Sequence, residues 1–123
     1  MTEPISLEVL ESEFDDDKEV WVLRDIRSQK YVIVPDDRFP GRRPIRFFLR
    51  KTDAEALLTA IREENAALRG RRINAVKVKL LSAARRIATD KNPDHADSFV
   101  VHPPNDVFDF VRGRHRDAEK ERR

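Results

Sequence analysis

The residue types that could bind a metal or move a proton are few in this chain of 123 residues. Cysteine is absent, which excludes disulfides and thiolate chemistry and leaves the redox compartment undecided. The histidines are His95, His102 and His115. His95 lies in the segment PDHAD, where Asp94 and Asp97 are of the type that holds divalent metals. Because Asp-rich segments more often shape turns, we expect no metal site and no cofactor.

The arrangements that activate a nucleophile are also missing from the sequence. None of the five serines lies in a Gly-x-Ser-x-Gly elbow, and the three glycines do not form a phosphate-binding cluster. His102 precedes Pro103 and is expected to end a strand rather than to act as a base. Paired acids such as Asp36 and Asp37 are adjacent, so their side chains project in different directions. We therefore expect a protein that is not an enzyme.

Basic residues are the more informative chemical group. Residues 1–19 carry eight acids and one base; subtracting these from the chain totals leaves 24 bases and 15 acids in residues 20–123, a net charge of +9. Arg46 and Arg50 share a predicted strand face with Phe48, an arrangement that stacks and neutralises single-stranded nucleic acid. The candidate residues for binding a partner or nucleic acid are Arg42, Arg43, Arg46, Phe48, Arg50, Arg71, Arg72, Lys77, Lys79, Arg85 and Arg86.

Two alternatives stay open for this basic surface. In the first, helices cover the face that holds Phe48, so that the face is not available to a ligand. In the second, each arginine pairs with one of the many acids of the chain. The sequence contains no motif of a known RNA or DNA reader.

The acidic segment 1–19 is predicted to be a solvated and mobile N-terminal arm. Within it, Leu7, Leu10 and Phe14 form a short apolar stripe after Ser6, a residue type that caps helices. The alternative is that the arm docks on a partner, or folds back on the basic body and competes with an acidic ligand. The acidic start is unlike a secretory signal, and no apolar run approaches the roughly 20 residues of a membrane helix. We expect a cytoplasmic protein without a membrane partner.

The stretch 44–70 organises the predicted fold. Ile45–Arg50 alternates between apolar and other residues with a period of two, which predicts a strand. Thr52 and Glu55 have the spacing of a capping box, which predicts a helix start. Apolar residues then recur on one helix face, and Gly70 is predicted to end that helix.

The remaining elements are predicted from composition and turn residues. Val20–Arg24 and Tyr31–Val34 are rich in β-branched and aromatic residues and predict a hairpin. The pattern of residues 71–90 fits one long basic helix or a strand followed by a helix; we favour the strand Ile73–Val78 and the helix Leu80–Thr89. A strand Ser98–His102 and a final helix, capped by Asn105 or Asp106 and running through Val111, complete the order β-β-β-α-β-α-β-α.

This order predicts a single α/β (α+β) domain over residues 20–112, with helices packed on a mixed sheet and a charged tail over residues 113–123.

The body Glu19–Gly113 resembles the Tic import-translocon components of the chloroplast intermembrane space and their bacterial relatives, and is similar in layout to SseB-like domains. The similarity rests on the segments VWVLRD, YVIVP, FFLRKTDAEALLTAIR and FVVHPPNDVFDFV. It implies a role in protein translocation or a chaperone-like role, and no catalysis. We expect the chain to depart from the family in two respects, the lack of a targeting segment and the presence of one such unit. No site residues carry over.

The sequence therefore predicts a non-catalytic protein-interaction module, of the adaptor or chaperone-like kind. Its partner is another protein or a second copy of itself. Nucleic-acid binding through the arginine-rich surface is the alternative function.

Overall fold

A computed structural model describes residues 3–34, 38–90, 96–104 and 106. The described part of the chain forms a four-stranded mixed sheet with three α-helices packed against it, which confirms the predicted α+β fold class. In chain order the elements are α1 Leu7–Glu13, β1 Glu19–Asp25, β2 Pro44–Phe48, α2 Lys51–Glu64, a 3-10 turn Ala66–Leu68, β3 Ile73–Lys79, α3 Leu80–Ala88 and β4 Ser98–His102.

The strands lie in the order β3-β1-β2-β4. β1 runs antiparallel to both of its neighbours, and β2 runs parallel to β4. The three strands that are joined through helices therefore point in one direction, as expected for such connections. β1 and β3 pair along their full length, from Glu19 opposite Lys79 to Asp25 opposite Ile73.

Helices cover both faces of this sheet. On one face α1 and α3 pack on Ile45 and Phe47, and on the other face α2 packs on Phe48. The predicted alternation along β2 is thus confirmed, but every residue of the strand is buried. A central strand with a helix layer on each side has no face left for solvent.

The predicted boundaries of α2 are wrong at both ends. The N-cap is Arg50, which makes no side-chain capping bond, so Thr52 and Glu55 do not act as a capping box. The acid that makes contacts in the first turn is Asp53, whose buried carboxylate accepts from the Arg50 guanidinium at 3.2 and 3.3 Å. At the other end the helix stops at Glu64 and not at Gly70, because the Asn65 side chain accepts from Ala67 N–H and begins the 3-10 turn.

The second strand of the predicted hairpin is not a strand of the sheet. β1 and β2 pair only where Trp21 and Val22 lie opposite Phe48 and Phe47, and the two strands then diverge. Residues 31–34, called the wedge segment below, lie in this gap and form only two isolated bridges, Arg24 with Tyr31 and Ile33 with Ile45. The chain reversal itself is present, since Asp25 N–H donates to Lys30 O.

The favoured interpretation of residues 71–90 is confirmed, since β3 passes directly into α3 at Leu80. Alternate β3 residues, Val76 and Val78, pack against the core under α3, which one long helix would not allow. The predicted strand Ser98–His102 is confirmed as β4. The predicted final helix beyond Asp106 and the predicted tail 113–123 lie outside the described residues, as do His95 and His115.

The prediction of a mobile N-terminal arm is wrong for residues 5–14. Ser6 caps α1 by accepting from Val9 N–H, and Leu10 is fully buried in the core shared with α3. Ile5 exchanges two backbone hydrogen bonds with Phe99 of β4, at 2.7 and 2.9 Å. The apolar stripe predicted in this segment therefore folds back on the domain.

Candidate interaction surface

Arg46 and Phe48 do not form the exposed stacking surface that the sequence predicted. Phe48 is fully buried, and only 3% of Arg46 is exposed, because α2 covers their face of the sheet. Arg46 Nε donates to Val34 O at 3.0 Å, and its Nη1 contacts His102 Nε2 at 3.0 Å. The arginine thus joins β2, the wedge segment and β4 from inside the protein.

His102 completes this buried cluster at the end of β4. Its ring stacks on Phe48 with centroids 5.2 Å apart, and its Nδ1 contacts Asp106 Oδ2 at 2.6 Å. Burial lowers the pKa of His102 and outweighs the opposing effect of Asp106, so the ring is neutral. Since Arg46 only donates, Nε2 of His102 accepts and Nδ1–H donates to Asp106. This arrangement fastens β2, β4 and the wedge segment together.

Several predicted basic residues are engaged by acids of the same chain, as one of the open alternatives held. Asp97 is an example: it accepts from Arg43 N–H at 2.9 Å and lies 3.8 Å from Arg42 Nε. Burial raises the pKa of Asp97, but the hydrogen bonds from Arg43 and Ser98 outweigh it and hold the pKa below its ordinary value. Further contacts of this kind among the described residues are Arg50 with Asp53, Lys77 with Glu19, and Arg85 with both Glu11 and Asp16.

The remaining predicted residues are exposed, but the structure does not bring them all together. Lys79 ends β3, and Arg86 lies on α3, on the sheet face opposite α2. Arg71 and Arg72 are adjacent between the 3-10 turn and β3. Arg71 and Arg72 adjoin a concave surface on the α2 side of the sheet, whereas Arg86 lines a separate cavity of about 380 Å³ together with Lys30 and Tyr31.

That surface begins with an apolar groove between the wedge segment and the end of α2. Its volume is about 430 Å³. Its floor is buried, whereas Val32 and Leu68 are half-buried at its sides. We call this the apolar groove, and define it by Tyr31, Val32, Val34, Ile61, Leu68 and Ile73.

The sequence did not identify this groove, because it assigned residues 31–34 to a regular strand. The available signal was Leu68, which continues the apolar stripe of α2 past the point where the helix ends.

A wider basic cleft of about 950 Å³ adjoins the apolar groove. It lies between the turn at residues 25–30 and residues 70–72. The basic cleft is defined by its four cationic side chains, Arg27, Lys30, Arg71 and Arg72. Because Asp25, Ser28, Lys30 and Arg71 line both cavities, the groove opens directly into the cleft.

Hydrogen bonds hold the two walls of the basic cleft together. Ile26 N–H donates to Arg72 O at 2.8 Å, which ties one loop to the other. Arg62 Nη2 lies 3.2 Å from Arg71 O and 3.3 Å from Ile73 O. The backbone that presents the cationic side chains is therefore fixed before any ligand arrives.

Within the described residues, no cluster of three or more His, Asp or Glu side chains is placed to hold a metal ion. In the same part of the chain, no helix has the length and apolar character needed to cross a membrane.

Comparison with known proteins adds little to this picture. No protein-family model matches the chain, and no curated protein matches it. Among solved structures, Anabaena Tic22, described as a protein of protein transport, is similar with a TM-score of 0.49 and 17% identity. The match covers 88% of this chain and 47% of that one, so the chain spans about half the length of that structure.

Proposed function

We propose that this domain is a non-catalytic protein-interaction module that binds a segment of another polypeptide in the apolar groove. The observation that carries the proposal is the half-buried pair Val32 and Leu68, which flank a floor formed by Val34, Ile61 and Ile73. Concave apolar surfaces of this size are typical binding sites, because a ligand side chain there leaves water at little entropic cost to the protein. An adaptor or chaperone-like role follows from such binding.

The chemistry of the groove and the cleft supports binding rather than catalysis. Among the described residues that line either cavity, Ser28 is the only serine or threonine, and none is a histidine. Its Oγ accepts from Lys30 N–H at 3.4 Å, a contact that belongs to the turn. A nucleophile needs an adjacent base and an orienting partner, whereas the Asp25 carboxylate beside Ser28 accepts from the backbone N–H groups of Arg27 and Ser28.

Nucleic-acid binding is the second candidate, and the adjacent exposed residues Arg71 and Arg72 favour it. Arg46 and Phe48 do not support nucleic-acid binding, because both residues are buried. Self-association is a further way to occupy the groove, with a second copy of the chain supplying the bound segment.

Selection from a phage-displayed library of random 12-residue peptides tests the proposed function. Peptides retained by the wild-type domain should be lost with Leu68→Glu, because a carboxylate in the groove opposes burial of an apolar side chain. Val9→Glu is the matched control, since Val9 is an exposed apolar residue of α1 that does not line the groove. Circular dichroism melting verifies that both variants fold. Peptides that bind all three proteins equally would contradict a site in the groove.

A further inference from the structure

We propose that the basic cleft is an anion-binding site that selects acidic polypeptide segments for the apolar groove. The inference rests on the proposed function and adds the chemistry of the partner: apolar side chains for the groove, followed or preceded by Asp or Glu for the cleft. It rests on the continuity of the two cavities, which share Lys30 and Arg71 on their linings.

The charge of the cleft is one-sided. Arg27, Lys30, Arg71 and Arg72 are all exposed, and among the described residues none of them forms an ion pair with a neighbouring acid. The acid that lines the cleft is Asp25. Its Oδ1 accepts from the backbone N–H groups of Arg27 and Ser28, at 2.9 and 3.2 Å, so the Asp25 carboxylate stabilises the turn. Four cations around one concavity focus a positive potential on it.

The turn that carries Arg27 and Lys30 is built to hold one shape. Gln29 has a φ of 63°, in the left-handed region, and its Nε2 donates to Ile26 O at 2.6 Å. Arg24 donates to the Gln29 side-chain oxygen from the other side. A rigid turn keeps the cations close together without a ligand, although they repel each other, so an anion gains from relieving that repulsion.

A polypeptide suits this surface better than nucleic acid does. Binding of single-stranded nucleic acid relies on aromatic side chains that stack successive bases. Tyr31 is the aromatic residue that lines the groove, and it is half-buried, whereas the other walls are aliphatic. The segment 112–123 of the same chain does not complement the cleft, since it carries six bases and three acids.

Three fluorescein-labelled pools of 12-residue peptides test the inference. Each pool has leucine fixed at the same three positions, and the other positions draw on Asp, Glu, Gly and Ser, on Asn, Gln, Gly and Ser, or on Lys, Arg, Gly and Ser. Fluorescence anisotropy at low salt should rank the acidic pool first and the basic pool last. Because each exposed ion pair changes an affinity by about two- to fivefold, several pairs should separate the acidic from the neutral pool by roughly tenfold or more. The preference should shrink at high salt.

Reversing the charge of cleft residues tests whether the cleft causes the preference for acidic peptides. The double variant R27E/R72E, at two arginines that line the cleft and not the groove, should lose the preference for the acidic pool and retain its affinity for the neutral pool. R27E alone should weaken the preference in the same direction and provides a second reading if the double variant folds poorly. K79E is the control, because Lys79 is an exposed basic residue at the end of β3 that lines neither the groove nor the cleft.

The outcomes separate this inference from the proposed function. Equal binding of the acidic and neutral pools overturns the acidic preference and leaves peptide binding in the groove intact. Failure of all three pools to bind overturns both. Tighter binding of a single-stranded DNA 12-mer than of the acidic pool overturns the polypeptide assignment in favour of nucleic acid.

Discussion

Arg46 Nη1 lies 3.0 Å from Nε2 of His102, inside the protein and across the boundary between β2 and β4. Because a guanidinium always carries its protons, this contact requires an unprotonated Nε2. The ring proton then lies on Nδ1, where Asp106 Oδ2 accepts it at 2.6 Å. Arg46, which the sequence placed at an exposed surface, and His102, which it placed at a strand end, thus form one buried contact. This contact requires a neutral imidazole.

The domain should lose stability in mildly acidic solution because of His102. Its ordinary pKa of 6.5 is lowered in the fold, chiefly by burial, with Arg46 and Arg38 acting in the same direction and Asp106 against them. The unfolded chain therefore binds a proton first, and the contribution of neutral His102 is present above pH 6.5 and decreases as the pH falls below it. Urea unfolding between pH 7.5 and 5 measures this change.

The variant His102→Asn is the control for that titration, because other groups also protonate in this range. The wild type should lose more free energy of unfolding than the variant between the two pH values. Parallel pH profiles would show that His102 is not the group responsible.

Phe47→Ala and Phe48→Ala should destabilise the domain by similar amounts, about 3–5 kcal/mol each for a buried aromatic side chain. Both rings are fully buried, one under α1 and α3 and the other under α2. Chemical denaturation measures the two losses, with the exposed Ile26→Ala as the control. A small loss for Phe48→Ala would mean that its face of β2 is open after all, and would restore the stacking surface.

The local patterns of the sequence predicted the elements better than their environments. Alternation along β2 and the strand-to-helix change at Leu80 are properties of short segments, and both are confirmed. The burial of Phe48 depends on where α2 lies, and α2 is placed by contacts distant in the sequence. Periodicity alone does not reveal whether a second layer covers a strand face.

The candidate site was less predictable for a related reason. Arg71 and Arg72 were identified from their charge, but Arg27 and Lys30 were not. These two residues lie near Arg71 and Arg72 because Ile26 N–H is hydrogen-bonded to Arg72 O. The apolar groove depends on the divergence of β1 and β2, which no local pattern encodes. Conversely, Arg85 was predicted as a binding residue and is engaged by Glu11 and Asp16, which lie more than 60 residues away.

The start of α2 should depend on Asp53 and not on Thr52. Asp53→Ala removes a buried carboxylate that accepts from Arg50 and lies in the first helical turn, and should cost about 1–2 kcal/mol. Thr52→Ala changes an exposed residue without a capping bond and should stay within about 0.5 kcal/mol. Thermal and urea unfolding compare the two variants. The reverse order of losses would restore the capping box predicted from the sequence.

Leu10→Ala should destabilise the whole domain by about 2–5 kcal/mol, although Leu10 lies in the acidic N-terminal segment. The reason is that Leu10 is fully buried between α1 and the core under α3, so its removal leaves a cavity there. Val9→Ala, on the exposed side of the same helix, is the control and should have a small effect. Urea unfolding measures both. An unchanged unfolding midpoint for Leu10→Ala would show that residues 5–14 are a detachable arm. A large loss would mean that deleting residues 1–19 disrupts the fold, so that any change in binding after such a deletion would not report on an arm that competes with ligands.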